Sequence, residues 1–236
     1  MKLSSLLSMF QPEEKLSIPL SSNPLLARMQ QKKIHNRRTS MPACFAAKKA
    51  IFIHIPKTAG QSICKNLFHV KSVGHMPYVW YQGIAPEQCL EYFKFAIVRN
   101  PWDRVVSAYH YLLRGGAIKR DSGLSEIIRK YEGFDDFVRK WMCKENIENH
   151  IHFIPQCYFI ENQHGVIDID YIGRFETLQS DINEIVGSNK GFLLPVILEE
   201  INSSSRGNYK DYYSPESKKI VEALYSRDIN EFGYYF

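Results

Sequence analysis

The sequence predicts an α/β fold of three layers, in which a mostly parallel central sheet lies between helices. Two short apolar runs, at 50–55 and 93–98, are rich in Ile, Phe and Val and are typical of buried strands. Each run is followed by a loop and then by a helix signal, which is the alternation that parallel sheets require. The chain is 44% hydrophobic and 13% aromatic, so it can bury a core around such a sheet.

The first strand, AIFIHI, ends at Pro56 and leads through KTAGQS into a helix predicted over 62–68. A helix N-terminus presents unpaired N–H groups and a partial positive charge, so it binds anions. Lys57 adds a full charge, Gly60 permits close approach, and the Ser62 hydroxyl can donate. The spacing differs from GxxxxGK[ST], because the lysine precedes the glycine. The sequence therefore predicts a P-loop-like phosphate site, with an ordinary strand-to-helix turn as the alternative.

The second strand leads directly to a second candidate anion site. Arg99 leaves the carboxyl end of the strand, where open α/β sheets bind ligands. Asn100 is a good N-cap for a helix that runs to about 114 and stops at two glycines. Ser107 lies two turns into that helix, so Arg99 and Ser107 could hold a second anion by charge-assisted hydrogen bonds. Arg104 could share this site, or it could pair with Asp103 or a carboxylate of the core.

The remaining elements complete a domain that is predicted to span 49–236, after a basic N-terminal extension at 1–48. Helices are predicted at 24–34, 124–131, 134–142, 178–186 and 215–232, with extended segments at 153–160 and 171–175. A loop at 202–213 precedes the last helix.

The positive charge of the chain belongs mainly to its first part. Residues 1–50 contain nine Lys/Arg and two Glu, which gives +7, whereas 51–236 contain 21 basic and 23 acidic residues, which gives −2. A nucleic-acid-binding domain usually carries its basic charge on the folded body, so no nucleic-acid partner is expected. The basic tract at 30–38 could contact a membrane surface, and a solvated arm is the alternative.

The five cysteines include no CxxC pair, which argues against a zinc knuckle and indicates a reducing compartment. No apolar run approaches the roughly 20 residues that cross a bilayer. The first ten residues also lack a continuous signal-peptide core. We therefore expect a cytoplasmic location, with peripheral membrane contact through the basic arm as an option.

The order of the motifs resembles one known family. IFIHIPKTAGQS followed by FAIVRNPWDRVVSAY is similar to the sulfotransferases that include the Golgi carbohydrate sulfotransferases and their bacterial relatives. The later stretches IPQCYFI, DYIGRFETL, YKDYYSPE and LYSRDINEFGY agree, so the resemblance covers about 50–236. The membrane anchor of the Golgi enzymes is not found, which favours a soluble, bacterial-type member.

The resemblance implies the donor 3′-phosphoadenosine 5′-phosphosulfate (PAPS), a carbohydrate or glycoconjugate acceptor, and no required metal. The first loop would wrap the 5′-phosphosulfate, and the second motif would bind the 3′-phosphate. The implied donor-binding residues are Lys57, Thr58, Ala59, Gly60, Gln61, Ser62, Arg99, Ser107, Arg206 and Lys210. Gln61 departs from the Thr or Ser that relatives often have, which removes one hydroxyl contact.

Transfer to an alcohol requires stabilisation of the leaving group and a general base. We expect Lys57 to stabilise the departing adenosine bisphosphate (PAP). His75 follows a glycine between the two anion motifs, like the pair that carries the base in the family, and is the favoured base. The alternative bases are His110, His152 and Glu87.

The sequence leaves open the role of the aromatic residues after His75 and two alternative functions. Tyr78, Trp80 and Tyr81 follow His75 and could either stack on a sugar ring or pack in the core. The alternative functions are a nucleotide-dependent kinase, which the missing GK[ST] pattern disfavours, and a non-catalytic nucleotide-binding protein.

Overall fold

A three-stranded parallel sheet organises the fold. The computed structural model describes residues 18–116, 121–192, 197–198 and 207–236. The strands are β1 (Ala50–Ile53), β2 (Phe93–Val98) and β3 (Tyr171–Arg174), in the spatial order β1-β2-β3. β2 pairs in parallel with both neighbours. The predicted α/β class and parallel sheet are therefore confirmed, and the carboxyl ends of all three strands meet at one edge.

Helices make up most of the described remainder. In chain order they are α1 (Pro24–His35), α2 (Ala43–Lys48), α3 (Gly60–Phe68), α4 (Tyr78–Ile84), α5 (Pro86–Glu91), α6 (Pro101–Leu113), α7 (Ser122–Ile128), α8 (Phe134–Trp141), α9 (Lys144–Glu148), α10 (Cys157–Ile160), α11 (Leu178–Ser188), α12 (Pro215–Leu224) and α13 (Ser226–Phe232). Two 3₁₀ turns accompany them, at Phe175–Thr177 and Tyr209–Tyr212.

The prediction of an extended segment at 153–160 is wrong, because part of it forms the short helix α10. The backbone N–H groups of Gln156 and Cys157 donate to the carboxylate of Asp228, at 2.7 and 3.0 Å, instead of to a strand. A short buried apolar run has the same periodicity in both structures, so the pattern could not separate them. The predicted closing helix is likewise two helices, α12 and α13, which meet at Tyr225.

The aromatic segment after His75 forms α4, a helix that the sequence analysis did not predict. Its side chains Tyr78, Trp80 and Tyr81 are at most 2% exposed and belong to the core that surrounds the sheet. The core-packing interpretation is therefore confirmed. These rings are not available to stack on a sugar.

The segment before β1 contributes to the same core. Leu26 of α1 and Phe45 of α2 are fully buried, and Phe45 packs edge-on against Phe68 and Tyr81. The basic residues around the end of α1, such as Arg37, are exposed, and their contact with a membrane stays a prediction. None of the described helices is both long enough and apolar enough to cross a membrane.

We predict that Phe45→Ala lowers the free energy of unfolding by about 3–5 kcal/mol, because it leaves a cavity in the core around the sheet. Chemical denaturation measures the loss. Leu90→Ala, which truncates an 88% exposed side chain, is the control and should change stability by less than about 0.5 kcal/mol. Equal effects of the two substitutions would show that Phe45 does not stabilise the core around the sheet.

Candidate active site

The loop after β1 lies at the edge of the sheet and has a strained backbone. Lys57 and Ala59 both adopt positive φ angles, of 73° and 62°, which cost a non-glycine residue about 1 kcal/mol or more. The hydroxyl of Thr58 donates to the carbonyl oxygen of Ile55 at 2.9 Å and is fully buried. The side chain of Thr58 therefore closes the turn, and only its backbone is placed to meet a ligand.

The ring of His54 leaves no room for a side chain at Gly60, the first residue of α3. A Cβ atom at Gly60 would lie 1.9 Å from Nε2 of His54. The ring of His54 stacks on Phe52 of β1, with 5.5 Å between the ring centroids. The space in front of the helix N-terminus is thus set by a buried imidazole below it, whereas the sequence analysis assigned the glycine to ligand approach.

The loop after β2 is built as predicted. The side-chain oxygen of Asn100 accepts from the backbone N–H groups of Trp102 and Asp103, at 3.1 and 3.5 Å, and caps α6. The backbone N–H of Asn100 itself donates to the carboxylate of Glu176 at 2.7 Å. This contact joins the start of α6 to the end of β3.

Two arginines of the second motif hold the first loop by consecutive carbonyl groups. Nη1 of Arg99 donates to the carbonyl oxygen of Lys57 at 3.1 Å, and Nε of Arg104 donates to that of Pro56 at 3.0 Å. Arg99 also forms a salt bridge of 2.7 Å with Asp103. Arg104 therefore pairs with a backbone carbonyl, and the Asp103 that could have been its partner belongs to Arg99.

Arg104 is 1% exposed, and burial lowers the pKa of its guanidinium from its ordinary value. The nearby carboxylate of Asp228 balances this charge in part and favours the protonated form. Buried charges of this kind are costly to leave without partners, so the contact with Pro56 is a structural link.

Gln156 fixes the backbone of Arg99, a role that the sequence analysis missed. Its side-chain amide accepts from the N–H of Arg99 and donates to the carbonyl of the same residue, both at 2.9 Å. Asp228 in turn holds the backbone of Gln156. Gln156 was noted only as part of the motif IPQCYFI. No signal in the neighbouring sequence indicated that its partner is Arg99, 57 residues away.

His75 lies beside the end of β1, close to the first loop. Gly74 has a φ of +78°, a backbone conformation in which a residue with a side chain would be strained. The turn at Gly74 brings Nδ1 of His75 to 2.9 Å from the carbonyl oxygen of His54. A carbonyl oxygen only accepts, so Nδ1 carries the proton and Nε2 is the basic atom of the neutral ring. Burial, and secondarily the charge of His75, hold the pKa of His54 well below its ordinary value. His54 is therefore a neutral, buried ring with a structural role.

The alternative bases occupy other surroundings. His110 packs against Tyr212, with ring centroids 5.0 Å apart, and Glu87 is exposed in the first turn of α5. His152 is buried, and its Nε2 lies 3.1 Å from Asp121. His75, by contrast, contacts His54, which lies between β1 and the first loop.

The remaining predicted donor-binding residues are spread around the edge of the sheet. Gln61 is exposed, Ser62 is buried in the first turn of α3, and Ser107 is half-buried on α6. Lys210 is exposed, with its ammonium 5.4 Å from the ring of Phe236. Arg206 lies outside the described residues.

A groove of about 270 Å³ lies next to the second loop. Its lining includes Asn100, Arg174, Glu176, Tyr209 and Lys210, so it connects the ends of β2 and β3 with the closing segment of the chain. Among the residues that the structure describes, no group of three or more His, Cys, Asp or Glu side chains is arranged to hold a metal ion.

Comparison with known proteins points to one family. A family model described as "Sulfotransferase family" matches residues 44–235. Carbohydrate sulfotransferase 10 from Gallus gallus and from Homo sapiens are each 30% identical over 172 residues, which is 61% of this chain and 47% of theirs. Carbohydrate sulfotransferase 14 from Mus musculus is 27% identical over 115 residues, or 40% of this chain and 28% of its own.

The chain spans about half the length of the carbohydrate sulfotransferase 10 proteins that it matches. No solved structure matches it significantly. The family model nevertheless covers the loops after β1 and β2, His75 and the segments that support them. The chain therefore belongs to the sulfotransferase family.

Proposed function

We propose that the chain transfers a sulfuryl group from PAPS to a hydroxyl group of a carbohydrate or glycoconjugate. The observation that carries this proposal is the hydrogen bond between Arg99 and the carbonyl of Lys57, which brings the two basic loops together at one edge of the sheet. A nucleotide with phosphates at two positions is the kind of ligand that two adjoining anion sites suit. The names of the relatives, carbohydrate sulfotransferases, support the acceptor class.

The donor would be held by two kinds of contact. The backbone N–H groups at the start of α3 and the ammonium of Lys57 suit the 5′-phosphosulfate, in a P-loop-like manner. Arg99 and Ser107 suit the 3′-phosphate. Because Asp103 already pairs with Arg99, a phosphate must share this guanidinium with a carboxylate. We therefore expect Arg99 to orient the nucleotide more than it contributes net charge.

The proposed reaction is an in-line displacement at sulfur. A bond forms between sulfur and the acceptor oxygen, and the bond between sulfur and the bridging oxygen of PAPS breaks. The acceptor proton goes to Nε2 of His75, and the electron pair leaves with PAP, beside the ammonium of Lys57. The sulfuryl group carries less charge than a phosphoryl group, so the step does not require a divalent cation in principle.

Selective binding of PAP tests the proposed donor. PAP at about 100 times its dissociation constant should stabilise the protein by about 2.7 kcal/mol, seen as a rise in melting temperature. ATP with magnesium should give a markedly smaller rise, since the first loop lacks the GK[ST] pattern. A larger shift with ATP would instead support the kinase alternative.

Lys57→Ala should lower the turnover of labelled PAPS about 100-fold, which corresponds to ~3 kcal/mol of lost transition-state stabilisation. The assay follows transfer to the first oligosaccharide that is sulfated in an acceptor panel. Lys71→Ala removes an exposed lysine between α3 and α4 and serves as the matched control with wild-type rates. Unimpaired turnover of the Lys57 variant would refute its assigned role.

His75→Gln should bind PAP with wild-type affinity and lose about 10²–10⁴-fold in transfer, as the loss of a general base does. The glutamine amide can still donate to the His54 carbonyl, so the fold near the loop is preserved. His164→Gln, on an exposed turn, is the control. Normal transfer by the His75 variant, at any pH between 6 and 9, would move the base to another residue.

A further inference from the structure

The ammonium of Lys57 rests on an aromatic ring. Its Nζ atom lies 4.1 Å from the ring centroid of Tyr111, which projects from the last turn of α6. A contact of this kind is worth about 0.5–2 kcal/mol, depending on how far water is excluded. Lys57 is only half-buried and has a long, flexible side chain, so contact with the ring restricts where its charge can lie.

Tyr111 is itself held in place by two buried polar side chains. Its hydroxyl donates to Oδ2 of Asp121 at 2.7 Å, and Nε2 of His152 lies 3.1 Å from Oδ1 of the same carboxylate. Asp121 is 4% exposed and His152 is 8% exposed. The rings of Tyr111 and His152 also contact each other, with 4.9 Å between their centroids. Both oxygens of the Asp121 carboxylate therefore have a partner, which fixes the carboxylate that accepts from the Tyr111 hydroxyl.

The turn that ends α6 fits closely around the carboxylate. Gly116 has a φ of +68°, and a Cβ atom on it would lie 2.5 Å from Cβ of Asp121. Asp121 thus contacts both the end of α6 and His152. These two contacts fix the position of its carboxylate, which in turn orients the Tyr111 ring through the hydroxyl group.

We propose that Tyr111 is a positioning residue for Lys57, and that Asp121 and His152 act through it by fixing its ring. This inference rests on the proposed function, in which Lys57 stabilises the leaving group. The ring holds the ammonium at the mouth of the first loop before the donor arrives. Less of the rotamer freedom of the lysine then has to be lost on binding. His152 thereby has a role that does not require it to be the base.

A double-mutant cycle on PAP affinity tests the proposal without an acceptor. We expect Tyr111→Leu to weaken PAP binding about 3- to 10-fold by calorimetry. In a Lys57→Ala background the same substitution should change affinity less than about 2-fold, because its effect passes through the ammonium. Tyr111→Phe keeps the ring but loses the hydrogen bond to Asp121, so its affinity should lie between those of the wild type and Tyr111→Leu. Phe192→Leu, which removes the ring contacted by another lysine, Lys48, is the control and should leave PAP affinity unchanged.

A spectroscopic measurement reads the contact directly. Reductive ¹³C-methylation keeps the charge of the lysines, and the signal of Lys57 is assigned by its loss in Lys57→Arg. The ring current of Tyr111 should shift this signal upfield in the unliganded protein. The shift should vanish in Tyr111→Leu and persist in Tyr111→Phe.

The outcomes separate this inference from the proposed function. If Lys57→Ala binds PAP like the wild type and turns over normally, the role of Lys57 fails, and the methyl signal alone decides whether Tyr111 holds it. If Lys57→Ala is impaired but Tyr111→Leu binds PAP normally, more tightly, or equally weakly in both backgrounds, the positioning role of Tyr111 is wrong. An unshifted Lys57 signal would overturn it independently.

Discussion

The site depends on two guanidinium groups that hold two consecutive carbonyl oxygens. Arg99 directly follows β2 and Arg104 lies in the first turn of α6, and they donate to Lys57 and Pro56 of the neighbouring loop. A hydrogen bond from a charged donor contributes about 1.5–3 kcal/mol, and a buried one is costly to break. The two bonds can therefore offset the strain of the positive φ angles at Lys57 and Ala59. Through them, two turns that are separate in sequence become one surface.

Support for that surface comes from parts of the chain outside the two loops. Gln156 pairs with the backbone of Arg99, Asp228 holds Gln156, and Glu176 holds Asn100. These residues belong to segments far along the sequence, so the second loop can form only when the whole domain has folded. This arrangement is what a site requires when it must hold a ligand in one geometry: rigid supports behind a small number of contact groups.

Local signals predicted the parts of this arrangement that local forces build. The end of β2 and the Asn100 cap each depend on neighbours within a few residues, so the sequence alone indicated them. The partner of Arg104 could not be predicted, because a carbonyl oxygen carries no sequence signature. Equally, the buried run that became α10 was judged by its periodicity, while its structure depends on Asp228, about 70 residues later.

The central claim is that the two loops form one nucleotide site, and amide hydrogen exchange with and without PAP tests it most directly. If one nucleotide contacts both loops, PAP slows exchange in both together, at 57–62 and at 99–104, with the same dependence on ligand concentration. Slower exchange in only one of these segments, at saturating PAP, would show that the two loops do not share one ligand.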